Sequence, residues 1–155
     1  MKNNNQVVKI IISSVFILVV AVLGSIFVNL GMDWFNQLLK PTQWIPNFVI
    51  PIVWTIIYLA FAIINFLWIR KGSIPKKVVD LMIVNGVLNV VWCLVFFTLQ
   101  QLFLGNIIII INLIFGFFLI YNILKTEKTY GYILSIYPIW LSVATTLNLA
   151  VWILN

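Results

Sequence analysis

Residues 103–124 read FLGNIIIIINLIFGFFLIYNIL, twenty-two positions without one charge. In water the five isoleucines from Ile107 to Ile111 would argue for a strand, because β-branched side chains suit a pleated backbone. In lipid the argument reverses. With no water to satisfy backbone N–H and C=O groups, each spanning segment must bond within itself, so this run is a transmembrane helix.

The same reading extends to four more apolar stretches and places helices at 7–30, 47–69, 77–99, 103–124 and 130–153. The 155 residues are 64% hydrophobic and 8% charged, with a mean hydropathy of +1.17. A soluble domain carries about 25% charged residues. The chain is therefore expected to be an all-α integral membrane protein, a single domain over 1–155 built as a bundle of five transmembrane helices. Lys40-Pro41 and Pro46 break the chain between the first two spans, Gly72 to Pro75 between the next two, and Thr126 to Thr129 before the last. The apolar run from Ile10 to Leu30 exceeds the 7–15 residues of a signal-peptide core and reads as a retained first helix.

The net charge of +6 suggests nucleic acid until its distribution is examined. Lys2, Lys9, Arg70, Lys71, Lys76, Lys77, Lys125 and Lys128 fall on one side of the spans and only Lys40 on the other. That asymmetry is a topology signal. It puts the N-terminus in the cytoplasm, and the Met32 to Pro46 loop and Asn155 outside, in a plasma membrane.

Chemistry is bounded by what is missing. There is no His and one Cys, Cys93, so neither a zinc site nor an intrachain disulfide can be assembled. The acids are Asp33, Asp80 and Glu127, all expected near helix ends, solvated or paired. No triad and no acid–base pair follows, and proton-coupled antiport lacks its mid-span carboxylate. What the spans do carry is Trp, Tyr and Asn at helical spacing. Trp54, Tyr58, Phe61, Asn65 and Trp68 form one stripe, Asn85, Asn89, Trp92 and Phe96 a second, and Tyr137, Trp140, Ala144, Asn148 and Val151 a third. Each stripe taken alone reads as helix–helix glue, with amides bridging neighbours. The three together point to an inward cavity between the second, third and fifth spans. Gly86 and Gly116 permit close helix approach but form no GxxxG pair. Trp34, Trp44 and Trp152 lie near predicted membrane ends, where indoles anchor at the interface.

Several of these residues also fall into ordered motifs. Asp33-Trp34-Phe35-Asn36-Gln37-Leu38-Leu39-Lys40-Pro41 resembles the W-Y-x-x-L-x-K-P stretch of the TspO/MBR family, the tryptophan-rich sensory proteins related to the mitochondrial translocator protein. Pro46-Asn47-Phe48-Val49-Ile50-Pro51-Ile52-Val53-Trp54-Thr55 with Tyr58 resembles P-N-W-V-F-P-x-V-W-T-x-x-Y. Asn89 to Trp92 with Phe96-Phe97, and Trp140 through Ala144 to Asn148, are similar to its third- and fifth-helix motifs. The outer loop departs from the pattern, with Trp44 one place late and one proline fewer. Val151 to Asn155 lacks the Tyr and basic residue of the family's cholesterol pattern.

The resemblance implies binding of protoporphyrin IX, haem-type tetrapyrroles and other flat hydrophobic ligands, benzodiazepine-type synthetic ligands among them, in tetrapyrrole sensing, transport or turnover. It implies no required cofactor and no metal site, and allows a homodimer. Trp54, Tyr58, Asn89, Trp92, Phe96, Trp140, Ala144 and Asn148 become the expected ligand wall, with Trp34, Trp44 and Pro46 added from the outer loop as a lid. Light-dependent porphyrin breakdown, reported for some members, would rest on Trp54 and Trp140. Two other classes stay open: a carrier for small hydrophobic molecules, and a non-catalytic membrane scaffold or regulator.

Overall fold

The computed structural model describes residues 2–42 and 45–155, with side chains from residue 4 onward. Trp44 lies outside the described residues. Five helical spans are long and apolar enough to cross a membrane, and the described residues contain no strand. The isoleucine run is helical throughout, inside α4 (Leu102–Thr126).

α1 runs Lys2–Gln37, well past both ends of the expected 7–30. At 1.5 Å per residue its 36 residues extend ~54 Å, against a hydrocarbon core of ~30 Å. No proline interrupts it before Pro41, and Gly24 and Gly31 are too weak as breakers. α2 is Val49–Lys71, and α3 is Lys76–Cys93, entered through Pro75. The same span then continues as a π-helical segment, Leu94–Thr98, closed by Leu99 N–H donating to Leu94 O at 2.9 Å. The expected straight helix over 77–99 is thus wound in two ways. The final span is also split, into α5 (Lys128–Leu134) and α6 (Ile136–Leu154) with a break at Ser135. Pro138 explains the break: it has no N–H for the carbonyl of Leu134, and its ring crowds that carbonyl.

α1 packs on α2 and on α3 with its π-helical segment; α4 packs on α3 and α6; α2 closes the ring against α5 and α6. At the end of the bundle near the α2–α3 loop, Ile64, Trp68, Val78, Leu119, Ile123 and Leu134 form a solid apolar plug. Large apolar side chains such as Ile12, Leu18, Leu59, Phe117, Phe118 and Ile139 cover the outside. In water that surface would aggregate; facing acyl chains, it is the expected exterior. Asp80 is paired at a helix end, its Oδ2 2.6 Å from Lys76 Nζ. At the opposite end the Asn155 amide clasps the α1–α2 loop. Leu39 N–H donates to Asn155 Oδ1 at 3.0 Å, and Asn155 Nδ2 donates to Leu39 O at 3.1 Å.

Candidate functional site

In the half of the bundle beneath that loop the helices splay around a cavity of about 460 Å³. Ligand pockets typically measure ≈ 300–1,000 Å³. α2 supplies Ile50, Pro51, Trp54, Thr55 and Tyr58; α3 supplies Asn89, Trp92 and Cys93, followed by Phe97; α6 supplies Trp140, Ala144, Leu147 and Asn148. Seven of the eight expected wall residues therefore meet around one space.

The structure places the other described candidates off this wall. Phe96 is fully buried and does not line the cavity; it packs behind the wall against Trp92, Phe97 and Gly105 of α4. Its place one turn above Trp92 brought it into the stripe, but the π-helical winding at Leu94 turns it toward α4. Trp34 is half-buried, edge-on to Phe96 at 6.3 Å between ring centroids, and is also off the wall. Pro46 is exposed, its carbonyl accepting from Val49 N–H at 2.9 Å, so it starts α2 while Pro51 reaches the cavity.

One whole wall was not read from the sequence. α1 contributes Ala21, Ser25, Val28, Asn29, Met32 and Phe35. Their steps of four, three, one, three and three are a helical stripe of small and polar positions, but an unremarkable one beside the tryptophans. On α4, Asn106 and Asn112 are buried at either end of the isoleucine run.

The aromatic wall is ordered. Trp54 stacks on Tyr58 with centroids 5.7 Å apart and planes at 26°, and lies 6.4 Å from Trp92. Below it, Asn89 Nδ2 donates to the Tyr58 hydroxyl at 3.0 Å. The Tyr137 hydroxyl sits 3.2 Å from Asn85 Oδ1 and 3.1 Å from Asn112 Oδ1. These contacts bridge neighbouring helices, as glue, although Asn89 Oδ1 and Asn112 Nδ2 are left without partners among the described residues. On the cavity wall, Trp92 Nε1, Trp140 Nε1 and Asn148 Nδ2 are buried donors with no acceptor among the described residues. A buried donor without a partner carries its full desolvation cost. No described residue of the wall is charged. Lys40 Nζ sits 4.8 Å above the ring of Phe35, which lines the cavity. Among the described residues no group of three His, Cys, Asp or Glu stands together to hold a metal.

A five-span bundle with an indole- and amide-lined cavity beneath its longest loop defines a multi-pass membrane protein built around a lipophilic pocket. Comparison with known proteins is specific about which. The TspO/MBR family matches residues 13–153, and the chain belongs to that family. It is 27% identical to the tryptophan-rich protein TspO of Chlorobaculum tepidum, covering 98% of this chain and 99% of that one. It is also 27% identical to the TspO of Archaeoglobus fulgidus, covering 97% and 99%. Protein CrtK of Rhodobacter capsulatus is 25% identical over 79% of this chain and 78% of its own. Membership makes this a membrane protein of the sensory or transport type.

Proposed function

We propose that the protein binds protoporphyrin IX and related tetrapyrroles in this cavity, in tetrapyrrole sensing, transport or turnover. The observation that carries the reading is the wall itself: three indoles, with Asn89 and Asn148, around about 460 Å³. A flat aromatic plate suits the indole faces of Trp54, Trp92 and Trp140 around a space of this size. Lys40, above the Phe35 ring of that wall, would take the porphyrin carboxylates, which the uncharged interior cannot hold.

Purified protein titrated with protoporphyrin IX should show saturable quenching of Trp fluorescence. Trp140→Ala and Asn89→Ala should each remain folded and weaken binding. Losing one stacking partner, at ~1–1.5 kcal/mol, corresponds to roughly a tenfold change in Kd. Wild-type affinity in both variants would return the cavity to the packing interpretation.

Turnover is separable from binding. Any loss of porphyrin should need light and oxygen and depend on the oxidisable indoles of Trp54 and Trp140. The double Phe variant at these positions should bind yet slow the decay of porphyrin absorbance at matched occupancy. Equal decay in both proteins leaves a binder and not an enzyme.

The placement we propose is the plasma membrane with the N-terminus cytoplasmic, supported by the distribution of Lys and Arg. Single cysteines in a Cys93→Ser background report it. A cysteine beside Lys40 should react with an impermeant reagent on intact cells, and one in the Arg70–Lys77 loop should not. Labelling of the second from outside rejects this topology.

A further inference from the structure

The walls of the main cavity differ in what stands behind them. On α3 and α6, Asn89, Trp92, Cys93, Trp140, Ala144 and Asn148 are buried. On α1 and α2, Ser25, Asn29, Pro51 and Thr55 line the same space yet are exposed. Facing the cavity does not by itself expose a residue, as the buried set shows, so these four also meet the outside of the bundle. Helical spacing agrees. Ser25 lies one turn from Val22, and Asn29 one turn from Ile26, both exposed on the apolar outer face of α1. Thr55 likewise lies one turn from the exposed Ile52 and Leu59 of α2. Both helices therefore pass from cavity to lipid across the seam between them. At the plug end that seam is tied: Asn65 Nδ2 donates to Ser13 Oγ at 2.8 Å, and Gln6 Nε2 to Ile69 O at 3.2 Å. The exposed rim lies in the other half. Measured from Trp34 at the expected membrane end, Asn29 is ~7.5 Å and Ser25 ~13.5 Å along the helix, the depth of acyl chains.

We propose that the main cavity opens sideways into the bilayer between α1 and α2, and that its guest is taken from the membrane rather than from water. Ser25 and Asn29 interrupt an apolar run and give the α1 rim hydrogen-bonding side chains. Hydrocarbon cannot satisfy such groups, whereas a lipid-dissolved guest with polar edges can as it passes. What travels rests on the ligand reading above; the opening itself can be measured without any porphyrin.

Cys93 reports it. It is the chain's one cysteine and lines the cavity, and a Cβ at Gly24 would stand 3.6 Å from its Sγ, so the thiol lies against α1 beside the rim. The full chain in liposomes is treated with phenylmercuric acetate, which dissolves in the bilayer, or with charged p-chloromercuribenzenesulfonate present on both faces. Either reagent forms a mercury–sulfur bond with loss of the thiol proton, read by intact mass. The phenylmercury should modify Cys93 and the sulfonate should not. Asn29→Trp fills the α1 rim and should slow the modification roughly tenfold or more, an added barrier of ~1.4 kcal/mol. Thr55→Trp narrows the facing rim and should do the same, so the comparison survives one variant that does not fold. Leu30→Trp, on the outer face beside the rim, should leave the rate unchanged. No phenylmercury adduct, an equal rate with the sulfonate, wild-type rates in the rim variants, or equal slowing by Leu30→Trp overturns the opening. Failure of protoporphyrin IX to bind in solution removes the ligand reading and leaves the opening standing.

Discussion

Phe96→Ala should cost about 3–5 kcal/mol of stability, the range for emptying a fully buried phenylalanine site. For a chain of this size that is a fall in Tm of roughly 6–20 °C in detergent. The side chain is sealed between Trp34, Phe35, Trp92 and Phe97, and the backbone of Gly105 comes close on the α4 side. Gly105 has no side chain to move into the void, so the site collapses poorly. Because Phe96 stands behind the cavity wall, the folded fraction of the variant should bind porphyrin within about threefold of wild type, under 1 kcal/mol. Thermal melts followed by circular dichroism, with the titration repeated below the lowered Tm, separate the two effects. A variant that melts normally but binds tenfold more weakly would place Phe96 on the ligand surface after all.

Gly31→Ala should be nearly as damaging, for the opposite reason. A Cβ at Gly31 would sit 2.1 Å from the carbonyl oxygen of Phe97, where the π-helical segment leans on α1. The obstacle is backbone, which cannot rotate away, so two helices must separate. Thr98 Oγ1, which donates to Phe27 O at 2.9 Å, would be pulled off its acceptor. Overpacking of this kind costs about 1–3 kcal/mol, and a backbone clash belongs at the upper end. Gly24→Ala on the same helix is the control. Its Cβ would meet Cys93 Sγ at 3.6 Å and the Tyr58 hydroxyl at 3.9 Å, ordinary contacts. There alanine should be neutral or stabilising by up to ~1 kcal/mol through helix propensity. Equal melting of the two variants would contradict the close α1–π contact.

These residues also show where sequence reasoning reached and where it stopped. The helical state of Ile107 to Ile111 followed from backbone hydrogen bonding in lipid, which overrides β-propensity, and so did the count of five spans. The convergence of Trp54, Asn89, Trp92, Trp140 and Asn148 followed from helical spacing, because buried amides must face a partner. Phe96 shared that spacing yet points elsewhere, since a helical wheel assumes uniform winding and nothing local announces a π-turn at Leu94. The α1 wall went unread because Ala21, Ser25 and Val28 are small or ordinary; a cavity is made by what fails to fill it. The split at Ser135 was not read, since the expected span ran unbroken over 130–153, although it is the direct steric consequence of Pro138.

Among the described residues the buried polar residues are Asn65, Asn85, Asn89, Asn106, Asn112, Asn148 and Thr145, and neither an amide nor a threonine hydroxyl ionises at physiological pH. That has an electrical meaning. A charge moved across a membrane exchanges about 2.3 kcal/mol per 100 mV with the field, and voltage-driven proteins work by placing such charges inside their spans. These described interior residues bring none. Moving these buried side chains therefore carries no formal charge through the field, whereas a charged guest would bring its own.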